Sequence, residues 1–331
     1  IPETLKEVVI TDAKIISYGA FQNCSNLTSI VINNEVTSIG QYAFYKCSGL
    51  TSFIIPEAIT YFYNYAFSGC TNLETIYYDG NIEDWCKVGF GDLTSNPMRY
   101  ASTFNILDQD YIGNAKQYKE VVELIVPDTI TTISKYAFYN FKSLTCAVIP
   151  SSVTSIGEFS FHGCSSLEQI TLPFVGDKLS HSNSDNKYPF GYIFGYENYE
   201  SSIGVEQKYT LSSSIVTSKM YYIPSALKEV IITGGKINVG AFNNCAQIVK
   251  IVIPNDITSI SDYAFSGCTN LDSITLPESL QSIGNSAFSG CESLDNITLP
   301  ENITTIGDYT FRGCAGLVNV VLPSSIKTLS K

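Results

Sequence analysis

A repeat of 23 residues governs this sequence. The Ala-Phe dipeptide, or a near variant, recurs with Phe21, Phe44, Phe67, Phe138, Phe161, Phe242, Phe265, Phe288 and Phe311, at spacings of 23, 23, 71, 23, 81, 23, 23 and 23. The long gaps equal three periods plus 2 and three periods plus 12, which predicts degraded repeats running through both. Cys follows three residues later in most repeats, at Cys24, Cys47, Cys70, Cys164, Cys245, Cys268, Cys291 and Cys314; the Phe138 repeat carries Phe141 instead. Each repeat opens on an LxxIxL signature led by Leu5, Leu27, Leu50, Leu73, Val121, Leu144, Leu167, Leu227, Ile248, Leu271, Leu294 and Leu317.

The repeat from Leu271 shows what one unit can build. Ile274 and Leu276 are two apart and share one face of a strand, and Pro277 ends it where a missing N–H does least harm. Leu280 and Ile283 form a second short apolar pair closed by Gly284, and Asn285 to Cys291 reads as one helical turn, too short to stand alone. Such a unit cannot bury its own apolar face, whereas stacked units build a continuous core from ladders of Leu, Ile, Phe and Cys. The expected fold is a β-rich α/β solenoid of about 14–15 coils: twelve strand starts plus degraded coils in the two gaps. A period of 23 lies within the 20–29 range of leucine-rich repeats.

The pattern LxxIxLPxxLxxIGxxAFxxC, seen in Leu271–Cys291 and again in Leu294–Cys314, resembles the BspA-like leucine-rich repeats of bacterial and protozoan surface proteins. The inserts Tyr77 to Cys86 and Pro173 to Gly176, the latter followed by Phe190 to Gly195, look like those of such proteins from gut Firmicutes. The resemblance implies a right-handed solenoid with a parallel sheet on one face and short strands and helical turns on the other. It also implies export to the bacterial cell surface or secretion, and adhesion to host or microbial protein or glycan.

On this reading residues 1–331 form one continuous solenoid, with regular coils at 1–78, 119–173 and 223–331 and irregular inserts at 79–118 and 174–222. A longer repeat lies above the short one, because Ile1 to Thr11 matches Ile223 to Thr233. The chain opens without Met and in mid-repeat, so both ends read as cuts in a longer array.

Composition narrows function. No stretch approaches 18 consecutive apolar residues, so no helix should span a membrane. Nineteen Lys and Arg against 31 Asp and Glu, a net charge of −12, argue against nucleic acid as a partner. Two histidines leave little for acid–base or zinc chemistry. Cysteines at one repeat position stack with side chains pointing the same inward way, which reads as a packing ladder of free thiols. Cys86 and Cys146 fall off that ladder, and Cys146 lands on an outward strand position.

Other candidate motifs read weakly. Asp108 to Gly113 begins like a calcium loop, but Ile112 and Lys119 stand where ligands belong. His162 occupies a variable place between Phe161 and Cys164 and is expected at the surface, and His181 sits in a polar loop near Asp185. No cofactor, metal site or catalytic residue is expected.

Two surfaces remain as candidates. Strand positions pointing away from the core form a β-branched stripe: Val31, Ile54, Tyr77, Ile125, Val148, Thr171, Ile231, Val252 and Thr275. The inserts hold aromatics amid Asn, Ser and Asp, notably Trp85, Tyr192, Tyr196 and Tyr199, suited to a sugar ring or a protein partner; the alternative for Trp85 is filler for a missing Phe. The leading function is a non-catalytic, monomeric surface-interaction or adhesion module. A passive spacer in a large surface protein is the alternative, and a glycan-active enzyme using Glu197 with Glu200 or Asp84 with Asp92 is the third.

Overall fold

A computed structural model describes residues 4–111, 115–179, 188–212 and 215–326. The chain divides into two compact units, one of Ile1–Leu144 with Phe159–Ser165 and one of Thr145–Glu158 with Ser166–Lys331. Both are β-solenoids of stacked parallel coils with little helix.

In the first unit the LxxIxL signature forms the strands Glu7–Ile10, Ser29–Ile32, Ser52–Ile55 and Thr75–Tyr78. They pair in parallel at equivalent repeat positions, Val8 with Ile30 and Phe53 with Ile76. Burial alternates along each strand, so Ile30 and Ile32 face inward while Ser29 and Val31 face out. A second ladder of two-residue strands joins Ile15–Ile16, Ser38–Ile39, Tyr61–Phe62 and Gly89–Phe90. The Ala-Phe segments close the third side, where the Phe21 N–H donates to the Ala43 carbonyl and the Phe44 N–H to that of Ala66, both at 2.8 Å.

The one helical turn expected at the Ala-Phe segment takes the form of successive tight turns. In the coil of Phe288, the N–H groups of Ser289 and Cys291 reach back to the carbonyls of Ser286 and Phe288. Ser286 and Gly290 hold φ of 54° and 77°, and their own N–H groups donate to the Asp308 and Arg312 carbonyls of the following coil at 2.8 and 2.7 Å. Helix is confined to Ile82–Cys86 and three short 3-10 turns among the described residues.

The inner coils bury the same positions, and this makes the period a folding signal, whereas Leu5, Phe311 and Leu317 of the outermost described coils are half-buried. Leu27, Leu50 and Leu73 are buried, and Phe21, Phe44 and Phe67 stack face to face at 5.4 and 5.3 Å. In the second unit Phe242, Phe265, Phe288 and Phe311 repeat the stack at 5.6, 5.1 and 5.8 Å. Fully burying one such ring contributes about 2–3 kcal/mol.

The two gaps behave differently. The first holds the degraded coil expected there: Thr103–Leu107 pairs in parallel with Thr75–Tyr78, and Gly89–Phe90 extends the short-strand ladder. The second adds no strand to the sheet. Gln169–Leu172 pairs directly with Glu229–Ile232, across more than fifty residues of chain. The described strands at the LxxIxL position and its degraded equivalent therefore number thirteen, against the 14–15 coils expected, because only one gap supplies one. The second insert instead forms an antiparallel hairpin, Ser202–Ser212 with Ile215–Pro224. Ahead of it, the Phe190 N–H donates to the Ala241 carbonyl at 2.9 Å and its ring lies 5.0 Å from Phe242. Phe190 thus continues the phenylalanine stack without a coil beneath it.

Candidate functional site

The outward stripe is present and in register within each unit. Val9 pairs with Val31 and Ile54 with Tyr77 in the first; Val148, Thr171, Ile231 and Val252 follow one another in the second. Val31, Ile54, Ile125, Val252 and Thr275 are exposed, whereas Tyr77, Val148, Thr171 and Ile231 are half-buried. Tyr77 loses exposure to Tyr118, whose ring lies 5.0 Å away. Val9 and Ile125 are the barest of the row, each 69% exposed. Val9 escaped the sequence reading although it stands four after Leu5, like every other member. On the neighbouring outward row, Lys250 meets Glu229 across adjacent coils at 2.8 Å, a surface pair contributing about 0–1 kcal/mol.

The insert aromatics divide. Trp85 is fully buried, so its expected place on a binding surface does not hold. Its indole N–H donates to the Ala137 carbonyl at 2.8 Å, and its ring packs against Phe104 at 4.5 Å and Tyr78 at 5.2 Å. Asn81 caps the short helix that carries it, accepting from the Asp84 N–H at 3.0 Å. Phe141, standing where other coils have Cys, stacks on Phe104 at 4.4 Å. The indole fills the space that a degenerate coil leaves without an Ala-Phe pair.

In the second insert, Tyr192 and Tyr199 are half-buried, and Tyr192 stacks on Tyr188 at 4.5 Å. Tyr196 is exposed, with the Lys219 ammonium 3.5 Å from its ring centre. The carboxylates Asp84 and Asp92 serve local structure: Asp84 meets Lys87 at 3.4 Å, and Asp92 accepts from the Thr94 hydroxyl at 2.9 Å.

None of the ten cysteines is in a disulfide. The thiols of Cys47, Cys70, Cys164, Cys268, Cys291 and Cys314 each donate to the carbonyl of the phenylalanine 26 residues earlier, at 3.0–3.3 Å. Burial pushes Cys47 and Cys86 up to about 12, and the deeper thiols further still. Cys245 has no such coil before it, and Gln207 of the hairpin meets its sulfur at 3.1 Å instead.

His162 corrects another expectation, since only 2% of it is exposed. Its ring stacks on Tyr139, the same repeat place one coil earlier, at 4.8 Å. A variable place thus becomes buried when two planar side chains meet there. His181 and Asp185 lie outside the described residues, as do Ile112 and Gly113. At the calcium-loop-like motif, Lys119 occupies the carboxylates, 3.1 Å from Asp108 and 3.4 Å from Asp110. No group of three or more His, Cys, Asp or Glu among the described residues could hold a metal ion.

A tyrosine cluster in the first unit escaped sequence reasoning. Tyr42 and Tyr65 stack in parallel at 5.1 Å, Tyr18 meets Tyr42 edge-on at 5.6 Å, and Tyr61 meets Tyr63 at 4.9 Å. Tyr18, Tyr61, Tyr63 and Tyr65 are exposed. The available signal was Tyr two residues before Phe44 and again before Phe67.

The six-copy family described as BspA type Leucine rich repeat region matches residues 3–119, 110–184 and 235–331. The chain belongs to the BspA-type leucine-rich-repeat family. The unmatched interval, 185–234, contains the hairpin that interrupts the BspA-type period. Among solved structures, a leucine-rich repeat protein from Bacteroides ovatus is similar over 97% of this chain and 82% of its own, at 24% identity and a TM-score of 0.50, which supports the fold. One from Eubacterium ventriosum is 19% identical over 88% of this chain and 84% of its own, with a TM-score of 0.38. A leucine rich cell surface protein from Faecalibacterium prausnitzii is 22% identical over 96% and 87%, with a TM-score of 0.28. No curated protein matches the chain. Among the described residues of this BspA-type chain, no helix is long and apolar enough to cross a membrane.

Proposed function

We propose that this BspA-type chain is a non-catalytic interaction module at the bacterial cell surface, serving adhesion to a host or microbial protein or glycan. The observation that carries this reading is the outward row of the sheet, where Val9 pairs in register with Val31, Ile54 with Tyr77, and Val9, Val31 and Ile54 stay exposed. β-branched side chains left bare at one repeat position after another give a flat apolar strip on a rigid backbone, and such strips mark protein contacts. Family membership supports the same class of function.

The test is direct binding of folded residues 1–331 to matrix proteins, mucins and a glycan array. A partner found this way should lose at least about tenfold in affinity, about 1.4 kcal/mol, to Val31→Glu with Ile54→Glu. No binding to any of the three sets ends the adhesion reading. Undiminished binding by the double variant moves the contact off the sheet.

A further inference from the structure

We propose that the tyrosine cluster of the first unit, Tyr18, Tyr42, Tyr61, Tyr63 and Tyr65 with Asp92 at its margin, docks an arginine- or lysine-rich segment of a partner protein. The proposal rests on the reading of the chain as an interaction module. It places a contact on the short-strand ladder, away from the sheet row.

The repeat itself supplies the comparison. Five tyrosines occupy the place two residues before the repeat phenylalanine: Tyr42, Tyr65, Tyr136, Tyr263 and Tyr309. Three of them already carry a cation from their own chain. Lys135 lies 5.4 Å from the Tyr136 ring centre, Lys208 3.5 Å from Tyr263, and Arg312 5.7 Å from Tyr309. Tyr42 and Tyr65 have none, nor do Tyr18, Tyr61 and Tyr63, among the described residues; the Lys46 ammonium lies 5.2 Å from the adjoining Tyr45 ring, which meets Tyr42 edge-on. A ring face attracts an ammonium or guanidinium through its quadrupole. The molecule thus uses this ring position for cations and leaves one group of such rings unfilled.

Backbone conformation points the same way. Tyr42 and Tyr65 hold φ of 59° and 61°, a region that costs a bulky side chain on the order of 1 kcal/mol or more. Glycine holds the same place at Gly19 and Gly240, with φ of 60° and 62°, so the coil does not require a ring there. Mutual stacking of Tyr42 and Tyr65 offsets part of this cost.

Charge selects the sign of the occupant. The chain carries −12 overall, and the Asp92 carboxylate lies beside the cluster, accepting from the Tyr65 N–H at 3.4 Å. Burial first, and then the neighbouring Tyr65, Tyr18, Tyr45 and Asp92, hold the Tyr42 hydroxyl above its ordinary value, and of these groups the Asp92 carboxylate is the one whose charge favours a cation. Tyr18, Tyr42 and Tyr65 stand on three successive coils with neighbours 5.6 and 5.1 Å apart, and Tyr61 and Tyr63 pair at 4.9 Å on the coil of Tyr65. One headgroup or free amine covers one ring, whereas successive side chains of an extended basic peptide cover the row.

Hexa-arginine, capped at both ends, is the probe, titrated calorimetrically into folded residues 1–331 at low and at 0.5 M salt. Binding should weaken with salt. The triple variant Tyr18→Leu, Tyr61→Leu, Tyr63→Leu leaves the left-handed tyrosines intact and should bind at least about tenfold more weakly, at roughly two- to fivefold per ring. The matching Phe triple keeps the ring faces and should stay within about twofold of the parent protein. Circular dichroism and the melting temperature check that both variants fold.

Equal binding by the Leu triple overturns the site, and a Phe triple as weak as the Leu triple shows that hydroxyls, not ring faces, hold the probe. Binding of hexaglutamine, maltohexaose or phosphatidylcholine vesicles in place of hexa-arginine overturns the cationic partner. The sheet-row variant Val31→Glu with Ile54→Glu should bind hexa-arginine like the parent. Failure here therefore leaves the sheet-face test standing, and the converse also holds.

Discussion

The thiol of Cys70 donates to the carbonyl oxygen of Phe44, one coil earlier, across 3.1 Å. That carbonyl also accepts the Cys47 N–H at 3.1 Å, so a single oxygen ties its own turn to the next coil. The repeat therefore prefers Cys to Ala or Val, because it needs a small apolar side chain with one donor. Cys70→Ala removes the donor and leaves a void, at an expected cost of about 1–2 kcal/mol. Cys70→Ser keeps a donor and should cost less. Urea unfolding of both variants checks the order, and an Ala variant at least as stable as Ser would show that the thiol only fills space.

The buried thiols also set a pH window. Cys47 and Cys86 titrate near 12 when folded, against 9 for the free thiol. Between those values the unfolded chain has released protons that the folded chain retains, so stability must fall as pH rises from 9 toward 12. The slope approaches about 1.4 kcal/mol per pH unit for each thiol that stays protonated. Below pH 9 this contribution is fully present. Urea midpoints from pH 7 to 11 read the window, and iodoacetamide at pH 8 should leave the ladder thiols unmodified until urea exposes them.

Legibility in this sequence follows the period. Leu27, Leu50, Phe44 and Cys47 could be read as core because each repeats an environment that neighbouring coils also provide. The parallel register followed from the same spacing. Burial decided by what stands one coil away was not legible. His162 is buried by Tyr139, and Tyr136 is covered by Lys135 while Tyr65 is bare, although the two tyrosines share one repeat position. The second insert carried no period, so its hairpin and the direct pairing of Gln169 with Glu229 had no signal to follow.

Trp85 offers an intrinsic probe, since it is the only tryptophan in the chain. Enclosed by Tyr78, Phe90 and Phe104, its emission should be blue-shifted and resistant to iodide quenching until the first unit unfolds. Trp85→Ala should cost about 3–5 kcal/mol, and Trp85→Phe less, because the phenyl ring keeps the contacts but leaves the Ala137 carbonyl without the indole N–H. Native emission that iodide quenches freely would contradict this enclosure.

Asp79 pins the segment that returns from the first insert. Its carboxylate is nearly buried and accepts from the Lys116 ammonium at 2.7 Å and the Tyr118 hydroxyl at 2.5 Å. Asp79→Ala removes both partners and should cost about 2–3 kcal/mol. Tyr118→Phe should cost about 1 kcal/mol, because Lys116 still meets the carboxylate. Hydrogen exchange should quicken across Tyr118–Glu120 in the Ala variant. Unchanged exchange there would show that backbone pairing with Thr103–Leu107 suffices to hold it.

Gln207 stands in for a coil that the second gap lacks. Its amide oxygen accepts the Gly191 N–H at 2.7 Å and its amide nitrogen meets the Cys245 sulfur at 3.1 Å, with the side chain fully buried. Elsewhere the preceding phenylalanine carbonyl receives the thiol; here the hairpin must satisfy Gly191 and Cys245 together. Gln207→Leu fills similar volume but leaves the Gly191 N–H without an acceptor, at an expected cost of about 1–3 kcal/mol. The loss should be local. The amides of Phe190–Ile193 and of the hairpin should exchange faster, while those of Ser282–Ile283 and Thr305–Ile306 stay unchanged, since coils couple mainly to their neighbours. Uniform acceleration across both regions would instead mean that the hairpin and the coils beyond Phe242 unfold as one cooperative block.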